Sequence, residues 1–237
     1  MRLDLYLTKY FDIQSRNKAS ELIKNGKISI NDKVITKPSF KVLADDKVTV
    51  DQDEFFVSRS AYKLKYFLDE HYIKISNLEA LDIGSSTGGF TQVLLQNNIQ
   101  NITCVDVGSN QLHSSLKDNP KIIIQENTDI REFKPKCKYD LITCDVSFIS
   151  ILMILDAINS LAKGKIIILY KPQFEVGRNI KRDSKGVVLD NDAILSARDG
   201  FIESTKKLNW SLQYSSQSKL KGKNGNLEEL FYFTINN

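Results

Sequence analysis

The sequence predicts an α/β protein, a mostly parallel sheet with an antiparallel last strand, preceded by a small α+β module. Three observations lead there. Between residues 61 and 207, short apolar runs of strand length alternate with amphipathic runs of helix length, the pattern of a parallel sheet covered on both faces. The last two apolar stretches, Ser211–Ser216 and Leu227–Ile235, have only a Lys/Gly-rich turn between them, so they form an antiparallel hairpin at the sheet edge. The first 50 residues follow another pattern, two short helices and then short strands.

Taken in order, Leu3, Leu5, Leu7 and Phe11 fit a first helix. Ala19, Leu22 and Ile23 fit one face of a second, closed by Asn25-Gly26 as a C-cap. Lys27–Ile30, a tight turn at Asn31-Asp32, Val34-Ile35 and Val48–Val50 read as small strands. The acidic stretch 51–58, DQDEFFVS, reads as a linker, which places a small module at 1–50 and the larger domain at 59–237. Ala61–Tyr72 is an amphipathic helix with Leu64, Phe67 and Leu68 inward. Strands follow at 78–83, 102–107, 121–125, 139–144 and 165–170, with helices at 88–97, 110–117, 151–161 and 191–207.

Composition narrows the function classes. Hydrophobic residues make up 41% and charged residues 26% of the 237, an ordinary globular balance. The longest apolar runs, Ile149–Leu155 (broken by Ser150) and Ile166–Tyr170, fall far short of the ~20 residues that cross a bilayer. The N-terminal MRLDLYLTKYF carries Asp4 and lacks the apolar core of a secretory signal. Three cysteines without CxxC spacing fit a reducing cytoplasm and give no disulfide scaffold or cysteine zinc site; no metal is expected. Two histidines leave no room for chemistry built on several. The net charge is +4, and residues 1–50, with ten basic and six acidic side chains, carry a surplus of the same size. Positive charge gathered on a small module points to a polyanionic partner.

The chemistry-bearing residues fall at strand ends. Asp82-Ile83-Gly84-Ser85-Ser86-Thr87-Gly88-Gly89-Phe90 runs from a strand through a glycine-rich turn into a helix, bringing backbone amides and a helix N-terminus beside a ligand. Asp106, followed by Val107, ends the next strand, where a carboxylate can bind two ribose hydroxyls. NAD-binding and S-adenosyl-L-methionine-binding sheets share these features. The spacing here is G-x-x-x-G-G with Asp82 in front, which favours S-adenosyl-L-methionine. Asp129, after the third strand, is placed to reach an adenine amino group. Asp145 and Lys171 end the fourth and fifth strands, and Glu228 opens an antiparallel last strand, so all three belong to the carboxyl edge of the sheet, where open α/β sheets bind ligands. Lys63 lies one turn into the helix before the first strand. Two lysines and two acids converging there suit a ribose 2′-hydroxyl, with Lys171 as proton acceptor or orienting cation, Asp145 and Glu228 aligning it, and Lys63 neutralising charge. Carboxylates hold a lysine protonated while burial and a second ammonium do the opposite, and the residue pattern leaves both roles open.

These residues carry a family resemblance. The larger domain resembles the FtsJ-like ribose 2′-O-methyltransferases, which are Rossmann-like, and the whole chain is similar to the TlyA family of rRNA 2′-O-methyltransferases, also called haemolysins. The matching motifs are Arg2-Leu3-Asp4, Ser15-Arg16, Glu21-Leu22-Ile23 through Gly26, Ser58-Arg59 through Lys63-Leu64, Asp82 through Phe90, Val105 through Gly108, Asp145 through Ser150, Lys171 through Glu175, and Gly225 through Glu228. The resemblance implies that the N-terminal module has the RNA-binding fold of small-subunit ribosomal protein four, and that Lys63, Asp145, Lys171 and Glu228 match the family's Lys-Asp-Lys-Glu tetrad. Asp129 stands where asparagine is common, Gln92 replaces a frequent acid, and Lys219 replaces a Ser-Pro turn. The resemblance further implies a cytidine in helix 69 of the large-subunit rRNA as the target, with helix 44 of the small subunit added in longer members; this chain resembles the short form. Arg2, Arg16 and Lys37, then Lys18 and Lys27, are the expected phosphate contacts. The competing readings are a non-catalytic rRNA-binding assembly factor, a membrane-active haemolysin, and a base methyltransferase using Cys144.

Overall fold

The computed structural model describes residues 1–11, 13, 15–50 and 56–235. The chain divides into two compact units, Met1–Phe55 and Phe56–Asn237.

In the first unit, α1 (Leu3–Tyr10) and α2 (Arg16–Lys24) precede a three-stranded antiparallel sheet of β1 (Ile28–Ile30), β2 (Lys33–Val34) and β3 (Val48–Val50), in the order β2-β1-β3. The Ser15 hydroxyl caps α2 by accepting from the Lys18 amide. Gly26, at φ +72°, ends it just beyond Asn25 as the sequence predicts. Asn31 and Asp32 both have positive φ, the signature of the tight hairpin turn between β1 and β2. Leu3, Leu7, Ala19, Ile23 and Ile28 form a dry core. Leu5 lies on the same helix but faces outward, about half a turn away from Leu3 and Leu7.

The second unit is a seven-stranded sheet flanked by α3 (Arg59–His71), α4 (Gly89–Gln96), α5 (Ser114–Lys117), α6 (Leu155–Leu161), α7 (Pro172–Glu175) and α8 (Asn191–Lys207). Its strands are β4 (Glu79–Ile83), β5 (Asn101–Val105), β6 (Ile122–Gln125), β7 (Tyr139–Cys144), β8 (Ala162–Tyr170), β9 (Trp210–Gln217) and β10 (Glu229–Ile235). The order is β6-β5-β4-β7-β8-β10-β9. The first five in that order are parallel, and β10 runs antiparallel to both neighbours. The strand pleat divides the interior into two layers. Ile166, Ile168 and Tyr170 pack toward α6 and α8 with Phe201, Phe231 and Phe233, while Ile167 and Leu169 pack toward α3 and α4 with Leu64, Phe67, Phe90 and Leu94.

Several boundaries depart from expectation. Residues 51–55 of the expected linker lie outside the described residues. Phe56 and Val57 do not belong to a linker: both are buried, and the Val57 amide donates to the Gln92 side chain at 2.8 Å. The helix expected at 110–117 shrinks to Ser114–Lys117, because the Asn110 and Gln111 amides are drawn to the Glu126 carboxylate instead. The helix expected at 151–161 begins with a 3-10 turn at Ile151–Met153. Asp106 and Val107 lie past the end of β5, in the loop.

Candidate active site

The carboxyl edge of the sheet gathers most of the expected residues. Asp145 follows β7 and Lys171 follows β8 directly. The register that pairs Glu229 with Tyr170 sets Glu228 beside Lys171 across the β8–β10 boundary. Lys63 lies on the inward stripe of α3 with Leu64, Phe67 and Leu68, a cation on an otherwise apolar face.

The four side chains form two close ion pairs. Lys171 Nζ lies 2.6 Å from Asp145 Oδ1, an ionic contact without hydrogen-bond alignment, and donates to Ser147 Oγ at 2.8 Å. Lys63 Nζ donates to Glu228 Oε2 at 2.5 Å. Lys63, Lys171 and Glu228 are all buried. Burial pushes the Asp145 carboxyl above the usual range against the pull of Lys171, with Lys63 and Glu228 also within electrostatic reach. The tetrad is thus one electrostatic cluster.

Two cavities open beside Asp145. The larger, about 430 Å³, lies within the size range of small-molecule sites. Gly84, Ser86, Asp106, Val107, Asp129, Asp145 and Ile130 line it. A smaller one of about 170 Å³ shares Gly84, Ser86 and Asp145 and adds Phe90 and Lys171. Asp106 accepts the Ser86 amide on one oxygen at 2.8 Å and the Gly108 amide on the other at 2.7 Å, which fixes the carboxylate and leaves further lone pairs for a ligand. Gly84 is required by its surroundings: φ is +71°, and a Cβ would stand 3.2 Å from the Asp145 carbonyl.

Three expected ligand contacts do not face these cavities. Asp82 is fully buried, its oxygens taken by Thr91 Oγ1 at 2.6 Å and Thr143 Oγ1 at 2.8 Å, and burial raises its pKa to about 7. It ties α4 to the sheet from below the loop. Gly88 faces α5, where a Cβ would meet Leu116 and Leu112 at 2.4 and 2.7 Å. Gly89 faces α3, where a Cβ would meet the Ser58 and Ser60 hydroxyls at 2.0 and 2.3 Å. Both glycines allow close helix packing. Asp129 lines the larger cavity, but its carboxylate is bound by Arg131, whose side-chain hydrogen bond holds the acid at about pKa 2.

Phe148 and Gln173 lie inside matched motifs, but neither residue type by itself points to a role there. Phe148 is 92% exposed at φ +67°, lines the larger cavity and lies against Phe174 at 5.3 Å between centroids. Gln173 donates to Glu228 Oε1 at 3.2 Å. Cys144 is fully buried and lines neither cavity, and burial pushes its thiol up to about 12, so it is not poised as a nucleophile.

In the first unit, Arg2 and Arg16 are brought together by one acid. Arg2 donates to both Asp4 oxygens at 3.0 and 2.9 Å, and Arg16 to Oδ2 at 3.0 Å. Asp4 is buried while both guanidinium groups are about half exposed, and the Arg2 hydrogen bond lowers the acid to about pKa 2. Lys18 pairs with Glu21 at 3.2 Å, Lys37 is exposed, and Lys27 is half-buried. Among the described residues no cluster of His, Cys, Asp and Glu could hold a metal, and no helix is long and apolar enough to cross a membrane.

Comparison with known proteins fits this geometry. Residues 56–235 match the FtsJ-like methyltransferase family and residues 1–48 the S4 domain. The chain is 49% identical, over the full length of both, to the "23S rRNA (cytidine-2'-O)-methyltransferase TlyA" of Campylobacter jejuni. The chain belongs to the FtsJ-like methyltransferase family. Within the family, it is 36% identical to the "16S/23S rRNA (cytidine-2'-O)-methyltransferase TlyA" of Mycobacterium tuberculosis, covering 96% of this chain and 87% of that one. A crystal structure named for a hemolysin of Lactococcus lactis superimposes with a TM-score of 0.72 at 31% identity, covering 76% of this chain and 89% of that one. The FtsJ-like unit of this chain is therefore a methyltransferase fold joined to an S4 domain.

Proposed function

We propose that the protein is an S-adenosyl-L-methionine-dependent methyltransferase of the 2′-hydroxyl of a cytidine in rRNA, in helix 69 of the large subunit. The observation that carries this reading is the pair of buried ion pairs, Lys171–Asp145 and Lys63–Glu228, of which Asp145 lines a cavity suited to the donor and Lys171 the smaller cavity beside it. The family and the relatives named for cytidine 2′-O-methylation support it. The name of the Mycobacterium relative adds 16S rRNA, which keeps a small-subunit target as the second reading.

The donor cavity fits the cofactor. Asp106, fixed by two amides, takes the ribose hydroxyls; Val107 and Ile130 give apolar walls for the adenine; Asp129 faces its amino group while held by Arg131. Gly84 lets the backbone approach without a side chain. The cofactor, when bound, supplies an electrophilic methyl group on a sulfonium. Lys171 meets the acceptor hydroxyl and orients its lone pair, with Asp145 and Ser147 fixing the ammonium on one side, and the hydroxyl proton is lost to solvent as the oxygen is alkylated. Lys63 and Glu228 close the other side and balance charge. A sulfonium methyl needs mainly an oxygen held in line at about 3 Å, so positioning carries most of the acceleration. Phe148 offers an exposed ring on which a base can stack. Arg2, Arg16, Lys18, Lys27 and Lys37 supply phosphate contacts from the S4 domain, without reading sequence.

Nucleoside mass spectrometry of rRNA from wild-type and deletion cells tests the reading. Loss of 2′-O-methylcytidine, restored by the wild-type gene but not by Lys171→Ala, is the expected outcome. Loss of a base-methylated nucleoside instead, or full restoration by Lys171→Ala, overturns it.

A further inference from the structure

The Glu228 carboxylate is held at both of its oxygens. Oε2 takes Lys63 Nζ, while Oε1 takes Gln173 Nε2 at 3.2 Å. The amide orientation follows from this contact, since a reversed amide would set an oxygen against a carboxylate. Gln173 stands two residues after Lys171, on α7, so one short segment carries both the proposed hydroxyl-facing lysine and a donor to the opposite acid. Its backbone carbonyl accepts from Arg182 Nη2 at 3.2 Å, which fastens that segment to the loop beyond. The third contact is an absence of bulk. A Cβ on Gly222 would fall 2.4 Å from Glu228 Oε1 and 3.2 Å from its Cδ. The φ of Gly222 is not in the left-handed region, so backbone conformation does not demand glycine here; the space for the carboxylate does.

We propose that Gln173 and Gly222 are positioning residues for Glu228, the one by donating to Oε1 and the other by leaving room for it. The proposal rests on the reading of Glu228 as part of the acceptor-hydroxyl site. A hydrogen bond to a charged group is stronger than a neutral one, so the Gln173 contact sets the direction of a carboxylate that Lys63 alone would leave free to rotate. Gln173 need not touch the substrate, and its effect falls on the rate with bound substrate rather than on binding.

The experiment measures methyl transfer by the full-length protein to ribosomal subunits lacking the modification, with kcat, KM for the subunit, cofactor Kd and a pH profile. Gln173→Met removes the donor at nearly constant volume; kcat falls on the order of tenfold, with KM and cofactor Kd unchanged. Gly222→Ala sets a Cβ against a buried, ion-paired carboxylate, so kcat falls by a similar factor and the melting temperature falls with it, while cofactor Kd stays at the wild-type value. Gln173→Glu sets two carboxyls face to face, one of which holds a proton at low pH and restores a donor to the other. Its activity relative to wild type therefore rises as pH falls, which a purely structural role for Gln173 would not produce. If Glu228→Gln is impaired while Gln173→Met and Gly222→Ala keep wild-type kcat, the proposal fails and the active-site reading stands. If Glu228→Gln itself keeps wild-type kcat, the reading and the proposal both fall.

Discussion

At the residue scale, burial decides what each acid can do. Asp82 and Asp145 stand within reach of one another's charge, yet only Asp145 meets an ammonium. Asp82 has two threonine hydroxyls and no cation, so its folded pKa of about 7 lies well above the usual carboxylate range. A raised acid binds more protons folded than unfolded between about pH 4 and 7, so its contribution lowers stability as pH rises through that window. Asp82→Asn removes the titration. The melting temperature of the variant relative to wild type is expected to rise steadily from pH 4 to pH 7, as followed by circular dichroism. A constant difference across that range would contradict the burial argument. Asp4 shows the opposite sign: two arginines hold it at about pKa 2, so its stabilisation is full above about pH 4 and is lost as pH falls toward 2. The two acids look alike in the sequence, each following a leucine near the start of a motif. Only their partners separate them.

At the element scale, the glycine-rich loop joins β4 to α4 by two kinds of glycine. Gly84 faces Asp145 and the cavity, whereas Gly88 and Gly89 face α5 and α3. The motif announced a close approach but not which glycine approaches what, because a missing side chain carries no direction in the sequence. Gly84→Ala forces a left-handed residue against backbone atoms at 3.2 Å and is expected to cost about 1–3 kcal/mol and to weaken cofactor binding. Urea denaturation and calorimetric titration with S-adenosyl-L-methionine check both. Unchanged cofactor affinity would separate Gly84 from the donor cavity. The β8–β10 pairing is the second decisive element: the antiparallel direction was legible from the missing helix, but the register that brings Glu228 beside Lys171 was not.

At the scale of the whole molecule, the two units have separate cores, and the boundary lies earlier than the acidic stretch suggested. Phe56 and Val57 pack into the second unit, so a cut after residue 57 removes core side chains, whereas a cut after residue 50 does not. On the proposed function, a protein lacking residues 1–50 is expected to keep the full chain's affinity for S-adenosyl-L-methionine and to lose modification of ribosomal subunits. One lacking 1–57 is expected to melt at a lower temperature. On the proposed function, full-length binding to rRNA is expected to weaken steeply with salt, because the proposed contacts go to phosphates. Filter binding across a salt series checks the slope, and a salt-independent affinity would remove the basic module from the anchor role.

By itself the sequence determined the class of fold, the strand ends on which the chemistry sits, and the family, since hydrophobic period and local motif spacing are written along the chain. Only the tertiary structure decided which of those residues meet. Lys63 and Glu228 are separated by 165 positions and touch because a helix face and an antiparallel register bring them to one edge. Asp82 sits inside the strongest local motif and turns away from the cavity, because alternate side chains of a strand face opposite sides of the sheet. Distance in space and direction of a side chain are products of packing, and packing is summed over the whole chain.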